Sequence, residues 1–150
     1  MQLPVRLGPG RTGINVNAST ITKHRIVGFG TPSSTNRQPI DGLNVTGLTK
    51  IAGVIQADIP TGEAGDVYAC EGEEYVIESD GTATIDYGQA LVAVAGASLA
   101  ASGRVAPLPG SPTDETNYEI VGYSVSPDQV AATAGLKVRV RWQRRTHQGV

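Results

Sequence analysis

Gly62, Gly65-Asp66, Asp80-Gly81 and Tyr87-Gly88 cut the stretch from Ile51 to Gly103 into β-branched runs too short to be helices. Glycine supplies positive-φ turn positions and Asp bonds its own backbone, so this punctuation between runs of Val, Ile and Thr marks short strands. The same stretch has no Lys or Arg but carries nine acids: Asp58, Glu63, Asp66, Glu71, Glu73, Glu74, Glu78, Asp80 and Asp86. The cations lie on either side. Arg6, Arg11, Lys23, Arg25, Arg37 and Lys50 face Asp41 alone before it. Arg104, Lys137, Arg139, Arg141, Arg144 and Arg145 face Asp114, Glu115, Glu119 and Asp128 after it. The three blocks carry +5, −9 and +2, within an overall charge of −2.

The 150 residues suit one domain, and 19 Gly with 9 Pro demand many turns. With one Phe, one Trp and one Met, the core must be built from small aliphatics. Domains of that kind gain stability from self-association.

Several segments read directly. Arg25–Phe29, Val45–Ala57, Val67–Cys70, Tyr75–Glu78, Thr82–Ile85, Ala90–Ala95 and Tyr118–Val125 are expected as strands. The alanines of 90–101 favour helix, but Val92, Val94 and Gly96 tip the reading to a strand followed by a loop. Pro107, Pro109, Gly110 and Pro112 mark a surface loop. Ser126-Pro127-Asp128-Gln129 has the form of a capping box, so a two-turn helix is expected there, stopped by Gly135. From Leu136 to Gln143 the chain alternates: Leu136, Val138, Val140 and Trp142 on one side, Lys137, Arg139, Arg141 and Gln143 on the other. That is a half-buried strand with a cationic outer face. The expected fold is mainly β, a small barrel or sandwich of short antiparallel strands with one short helix. An extended N-terminal arm (1–42, with a possible strand) would precede a β domain (43–143) and a basic C-terminal tail (144–150).

Chemical equipment is thin. Only His24 and His147 could act as bases near neutral pH, and the single cysteine, Cys70, is flanked by Glu71, Glu73 and Glu74, which disfavour a thiolate. One cysteine allows no internal disulfide, and the reading for Cys70 is a small buried hydrophobe. The acids cluster at turns without the aromatic platforms of a sugar cleft. Gly8-Pro9-Gly10-Arg11-Thr12-Gly13 lacks the Lys-Ser/Thr ending of a phosphate loop, and the acids lack calcium-loop spacing. Enzymatic activity, a cofactor and a metal are therefore not expected. Arg139, Arg141, Arg144 and Arg145 could track nucleic acid, but the chain is acidic and no aromatics interleave with the basic residues. Neither a secretory signal nor about 20 consecutive apolar residues is present, so no membrane partner is expected. What remains is a basic strand able to meet the acidic middle of a neighbouring copy, a heterologous contact that closes rings such as trimers.

The order of motifs resembles a known family. Thr61-Gly62-Glu63-Ala64-Gly65-Asp66-Val67-Tyr68-Ala69-Cys70-Glu71-Gly72 is followed by Ile85-Asp86-Tyr87-Gly88-Gln89-Ala90-Leu91 and Ala101-Ser102-Gly103-Arg104-Val105. Ile120-Val121-Gly122-Tyr123-Ser124 and Ala134-Gly135-Leu136-Lys137-Val138-Arg139-Val140 close the series. Over residues 50–142 this resembles the capsid decoration (head-stabilising, or cement) proteins of tailed bacteriophages. The resemblance implies a non-enzymatic β domain on the capsid exterior, made in the host bacterial cytoplasm. It would bridge subunits of the major capsid protein as a homotrimer. The candidate capsid or subunit contacts are Leu3, Val5, Arg6, Leu7, Arg11, Lys23 and Arg25 in the first block. Glu71, Glu73 and Glu74 are those of the middle, and Arg139, Arg141, Arg144 and Arg145 those of the last. Alternatives are a tail-tube, fibre-base or head-fibre component, or a β module that binds surface glycans.

Overall fold

The computed structural model describes residues 10–33, 38–43, 51–96, 98–109 and 117–148. Leu3, Val5, Arg6 and Leu7 lie outside them, as does the 45–50 part of the strand expected at Val45–Ala57. The described residues are all β. Ten strands follow in chain order: β1 (Arg11–Asn15), β2 (Arg25–Phe29), β3 (Pro39–Gly42), β4 (Ile51–Ile55) and β5 (Ala64–Val67), then β6 (Glu74–Glu78), β7 (Ala90–Val94), β8 (Arg104–Pro107), β9 (Asn117–Ser124) and β10 (Lys137–Gln148).

They form two five-stranded sheets, ordered β4-β2-β3-β1-β5 and β6-β10-β9-β7-β8. Every pairing is antiparallel except β1 with β3. Each sheet curls until its two edges touch. In the first, Val54 of β4 exchanges both backbone hydrogen bonds with Tyr68, just past β5, at 2.8 Å each. In the second, Ser79, just past β6, bridges Val105 of β8. Curling hides the edge hydrogen-bonding groups that an open sheet would leave unpaired.

Two devices permit the first closure. Opposite β2, Ala52 is an extra residue in β4, because Val27 pairs with Gly53 and Gly28 with Ile51. Such a bulge bends the strand and puts Ile51 and Val54, three apart, into one core. Gly53 then sits at φ +156°, where a Cβ would fall 2.5 Å from the Tyr68 carbonyl oxygen. Only glycine fits there.

The larger core joins the sheets. Tyr75, Ile77, Leu91, Val105, Val138, Val140 and Trp142 of the second sheet pack with Ile26, Leu43, Ile51 and Val54 of the first. The Trp142 and Tyr75 rings meet edge-on at 6.2 Å, and Tyr68 adds a third ring 5.8 Å from Tyr75. A smaller core of Ile21, Val27, Ile40, Ile55, Ile59 and Val67 fills the first sheet alone. Since Ile26 faces one core and Val27 the other, β2 is buried on both sides.

Several sequence expectations change. The strand expected at Val67–Cys70 lies earlier, as β5, with only Tyr68 beyond it bridged, to Val54. Residues 10–42 are not an appended arm, since β1, β2 and β3 supply three of the first sheet's five strands. β2 stands where a strand was expected, at Arg25–Phe29, while β1 and β3 are short and mix glycine, proline and polar residues, so no β-branched run marks them. Residues 144–148, expected as tail, continue β10 opposite β9. No helix forms at 126–135. The would-be cap is spent elsewhere: Ser126 Oγ accepts the Arg139 N–H at 2.9 Å, and Gln129 Nε2 donates to Asp86 at 2.6 Å. Val130 and Ile85 exchange backbone hydrogen bonds, which holds the segment extended. Thr82–Ile85 keeps only that bridge, because Asp80 folds back to accept from the N–H and hydroxyl of Thr82. Strands stand near 75–78, 90–94 and 118–124, where runs between turn signals put them, and at 137–143, where alternation did. Val138, Val140 and Trp142 are fully buried, but Leu136, expected on the same side, precedes β10 and is 40% exposed.

Candidate functional site

The antiparallel pairing of β10 with β6 lays the last charge block on the middle one. Lys137 stands opposite Glu78, and Arg141 opposite Glu74. Arg141 reaches Glu74 at 3.1 Å and Arg139 lies 3.9 Å from its other oxygen. After Trp142 one extra residue enters β10, shifting its register against β9. This places Arg144 against Glu119, with its Nε donating at 2.6 Å. The Arg144 guanidinium also reaches the Ile51 carbonyl in the first sheet, and its backbone N–H donates to Glu71. Arg145 lies over the Tyr123 ring, 5.0 Å from its centre. Among the described residues, the basic strand thus meets the acidic block of its own chain.

The first block is used in the same way. Arg25 of β2 is 6% exposed and 3.0 Å from Glu78 of β6. Its other terminal nitrogen donates to the carbonyls of Leu99, Ala100 and Ser102, at 2.9 to 3.3 Å. Glu78 also takes Arg104 at 3.2 Å and Lys137 at 2.9 Å, so one carboxylate gathers three cations at the joint of the sheets. Gly103 brings the 98–103 turn against β2, since a Cβ there would fall 2.2 Å from the Ile26 carbonyl oxygen. Gln56 adds a second tie, exchanging two hydrogen bonds with the Val76 backbone.

Burial pushes the Glu78 carboxyl up, but the Lys137 hydrogen bond and the charges of Arg25 and Lys137 more than offset it, leaving it below its ordinary range. Glu119 goes the other way. Its burial outweighs Arg144 and raises it, and its Oε2 is buried without a hydrogen-bond partner among the described residues. Burial, then Lys137 and Lys23, lower the His24 imidazole.

The remaining candidates are scattered. Arg11 is exposed at the start of β1, and Lys23 is exposed with its backbone N–H donating to Asp58 at 2.7 Å. Glu71 is exposed and Glu73 half-buried in the turn before β6, where the Glu73 carbonyl accepts the Trp142 N–H. The joint around Glu78 escaped the sequence reading, because its four members come from four different strands. Also missed was an apolar groove of about 430 Å³ at one end of the first sheet, lined by Arg11, Phe29, Pro39, Ile40, Ala52 and Val67 among others. Phe29 is 58% exposed there. The one signal was a lone Phe between two glycines, Gly28 and Gly30.

Among the described residues, no three His, Cys, Asp or Glu side chains are grouped to hold a metal, and no helix is long and apolar enough to cross a membrane. No protein-family model and no curated protein matches the chain. Among solved structures, it is similar to the N base of the head fibre protein gp8.5 of bacteriophage phi29. The TM-score is 0.55 at 14% identity, over 90% of this chain and 93% of that one. At that identity the likeness is one of fold, and it runs through both sheets.

Proposed function

We propose that this chain is a structural protein of a tailed-phage virion, seated on the outside of the head. The observation that carries this is the shared fold: nine-tenths of the chain superposes on the base of a phage head fibre. The motif order from Thr61 to Val140 supports the same reading independently. Two finer roles follow. As a cement protein the chain bridges subunits of the major capsid protein, as a homotrimer. As a fibre base it occupies the head without stiffening it, and the fold likeness favours this second role. Neither role needs a cofactor, nucleic acid, a membrane or catalysis.

The charge geometry limits how docking works. With Arg25, Arg139, Arg141 and Arg144 engaged within the chain, attachment rests on the segment around Leu3, Val5, Arg6 and Leu7, on exposed Arg11, Lys23 and Arg145, and on the acids Glu71 and Glu73. Co-sedimentation of the purified protein with undecorated expanded heads tests the proposal. Saturable binding supports it, and absence of binding overturns it. Added resistance of the loaded heads to disruption selects the cement role, and unchanged resistance selects the fibre base.

A further inference from the structure

We infer that His24 is an acid-sensitive latch between the two sheets: a proton on its ring loosens the joint at Glu78 and lets the sheets part there. His24 immediately precedes β2, and its backbone spans the seam. Its N–H donates to the Ile55 carbonyl of β4 at 2.8 Å, and its carbonyl accepts the Glu78 N–H of β6 at 2.9 Å. Among the described residues it is the only one other than glycine with a positive φ, +64°. A side chain keeps that left-handed conformation only where its surroundings enforce it, so His24 is held under strain at a point where both sheets grip it.

The ring is poorly placed to take a proton. It is half-buried, and its Nδ1 is buried without a hydrogen-bond partner among the described residues. A proton there would lack an acceptor and would add charge to a cationic setting. Lys23 precedes the ring in its own segment, while Lys137 of β10 and Glu78 of β6 act on it across the seam. Glu78 is already shared by Arg25 of β2, Arg104 of β8 and Lys137. Asp58, the acid beyond β4, is exposed and accepts the Lys23 backbone N–H. Only Glu78 and a hydrogen bond to the Val76 backbone favour the charged ring. Burial and the two lysines outweigh them, so the folded ring titrates below its ordinary value of 6.5. A chain with the joint opened therefore takes up the proton first. The latch is whole above pH 6.5, weakens as pH falls through the window below it, and levels off under the folded value. Acid thus reaches the joint through His24 before it reaches Glu78, whose folded carboxyl titrates below 4.5.

The test is amide hydrogen exchange on the full chain at pH 7 and pH 5, read as protection factors so that the intrinsic pH dependence of exchange drops out. Two amides report on the seam: the Glu78 N–H bonded to His24, and the Ile26 N–H bonded to the Gly103 carbonyl. Both should lose protection several-fold at pH 5, while the amides pairing β9 with β10 keep theirs. His24→Asn accepts a left-handed φ and does not titrate in this range, so it should remove the difference. Glu119 titrates with the opposite sign and cannot imitate the loss. Should His24→Asn fail to fold, the native ring still decides the matter. Its midpoint by NMR should lie below pH 6.5, and Lys137→Met, at a half-exposed side chain, should raise that midpoint and shrink the exchange difference. Unchanged protection at Glu78 and Ile26, a difference that persists in His24→Asn, or an equal loss in β9 and β10 overturns the latch. So does a ring that titrates at 6.5 or above.

Discussion

The two sheets have the same strand number and the same edge-to-edge curl, yet they are held together differently. The second contributes Tyr75 and Trp142 to a core it shares with its neighbour, and it contains the longest strand, β10. The first encloses only six buried aliphatics of its own, relies on Gly53 for closure, and leaves a groove at one end. Large side chains fix the second sheet's geometry from within. The first is fixed by contacts outside its own interior: Ile26, Leu43, Ile51 and Val54 in the shared core, and Arg25 on Glu78. The first sheet therefore depends on the second more than the reverse.

The largest test of that asymmetry is truncation. Removing residues 1–9 deletes none of the described contacts and should leave the unfolding midpoint within experimental error. Removing residues 1–24 takes away β1, which lies between β3 and β5, together with buried Ile21. That truncation should abolish folding of the first sheet, seen as loss of amide protection from β2 to β5. Retained protection would mean that β1 is dispensable.

Next come the two cores. Trp142→Ala should cost about 3–5 kcal/mol in denaturant unfolding, because it removes the largest buried side chain and its contact with Tyr75. Ile59→Ala, in the small core, should cost about 2 kcal/mol, the low end of the usual range, because a core beside an open groove can relax. Equal costs would erase the distinction between the cores.

The difference between the sheets also explains what the sequence discloses. Alternation exposed β10 because Val138, Val140 and Trp142 face one core while Lys137, Arg139 and Arg141 face outward. β2 was legible as a strand at Arg25–Phe29, but its burial was not: Arg25, Ile26, Val27 and Gly28 are all buried. A lone strand beside glycines looks like part of an arm until a second sheet covers its far side. The 126–135 helix failed for a related reason. A capping motif records what Ser126 and Gln129 can bond, while the fold decides that Arg139 and Asp86 receive those bonds. Charge sorting was legible as complementarity, but its partner was not: opposite blocks attract equally well within a chain or between copies. Only the register of β6 on β10 chooses. The interface candidates Arg25, Arg139, Arg141 and Arg144 drew attention by their charge, and that charge is engaged at home.

The joint between the sheets provides a third test. Glu78→Gln leaves Arg25 buried beside Arg104 without its carboxylate, and should cost about 3 kcal/mol. It should also change the response to acid. The folded Glu78 carboxyl titrates below its ordinary value of 4.5, so the unfolded chain takes up the proton first. Its contribution to stability is whole above pH 4.5 and drains away as pH falls through the folded value. Glu119 has the opposite sign: its folded carboxyl titrates above 4.5, so its contribution is fullest below pH 4.5 and is lost as pH rises through the folded value. Stability measured against pH should therefore lose much of its acid limb in Glu78→Gln and keep that limb in Glu119→Gln. An unchanged acid limb in Glu78→Gln would show that the three cations do not depend on this carboxylate.

The smallest effect is expected on the charged face itself. The Arg141 side chain is half exposed and Glu74 is 30% exposed. Water and salt screen such a pair, and ordering two long side chains offsets most of the attraction, so Arg141→Ala should change stability by under about 0.5 kcal/mol. Head binding is the sharper readout. If Arg141 is engaged only with Glu74, the substitution should leave both the saturation level and the salt dependence of binding unaltered, while Arg145→Ala, which removes an exposed cation stacked on the Tyr123 ring, should weaken binding at low salt. A large loss from Arg141→Ala would mean that the cation leaves Glu74 for the capsid on docking. The intrachain pairing would then be a resting state of the face.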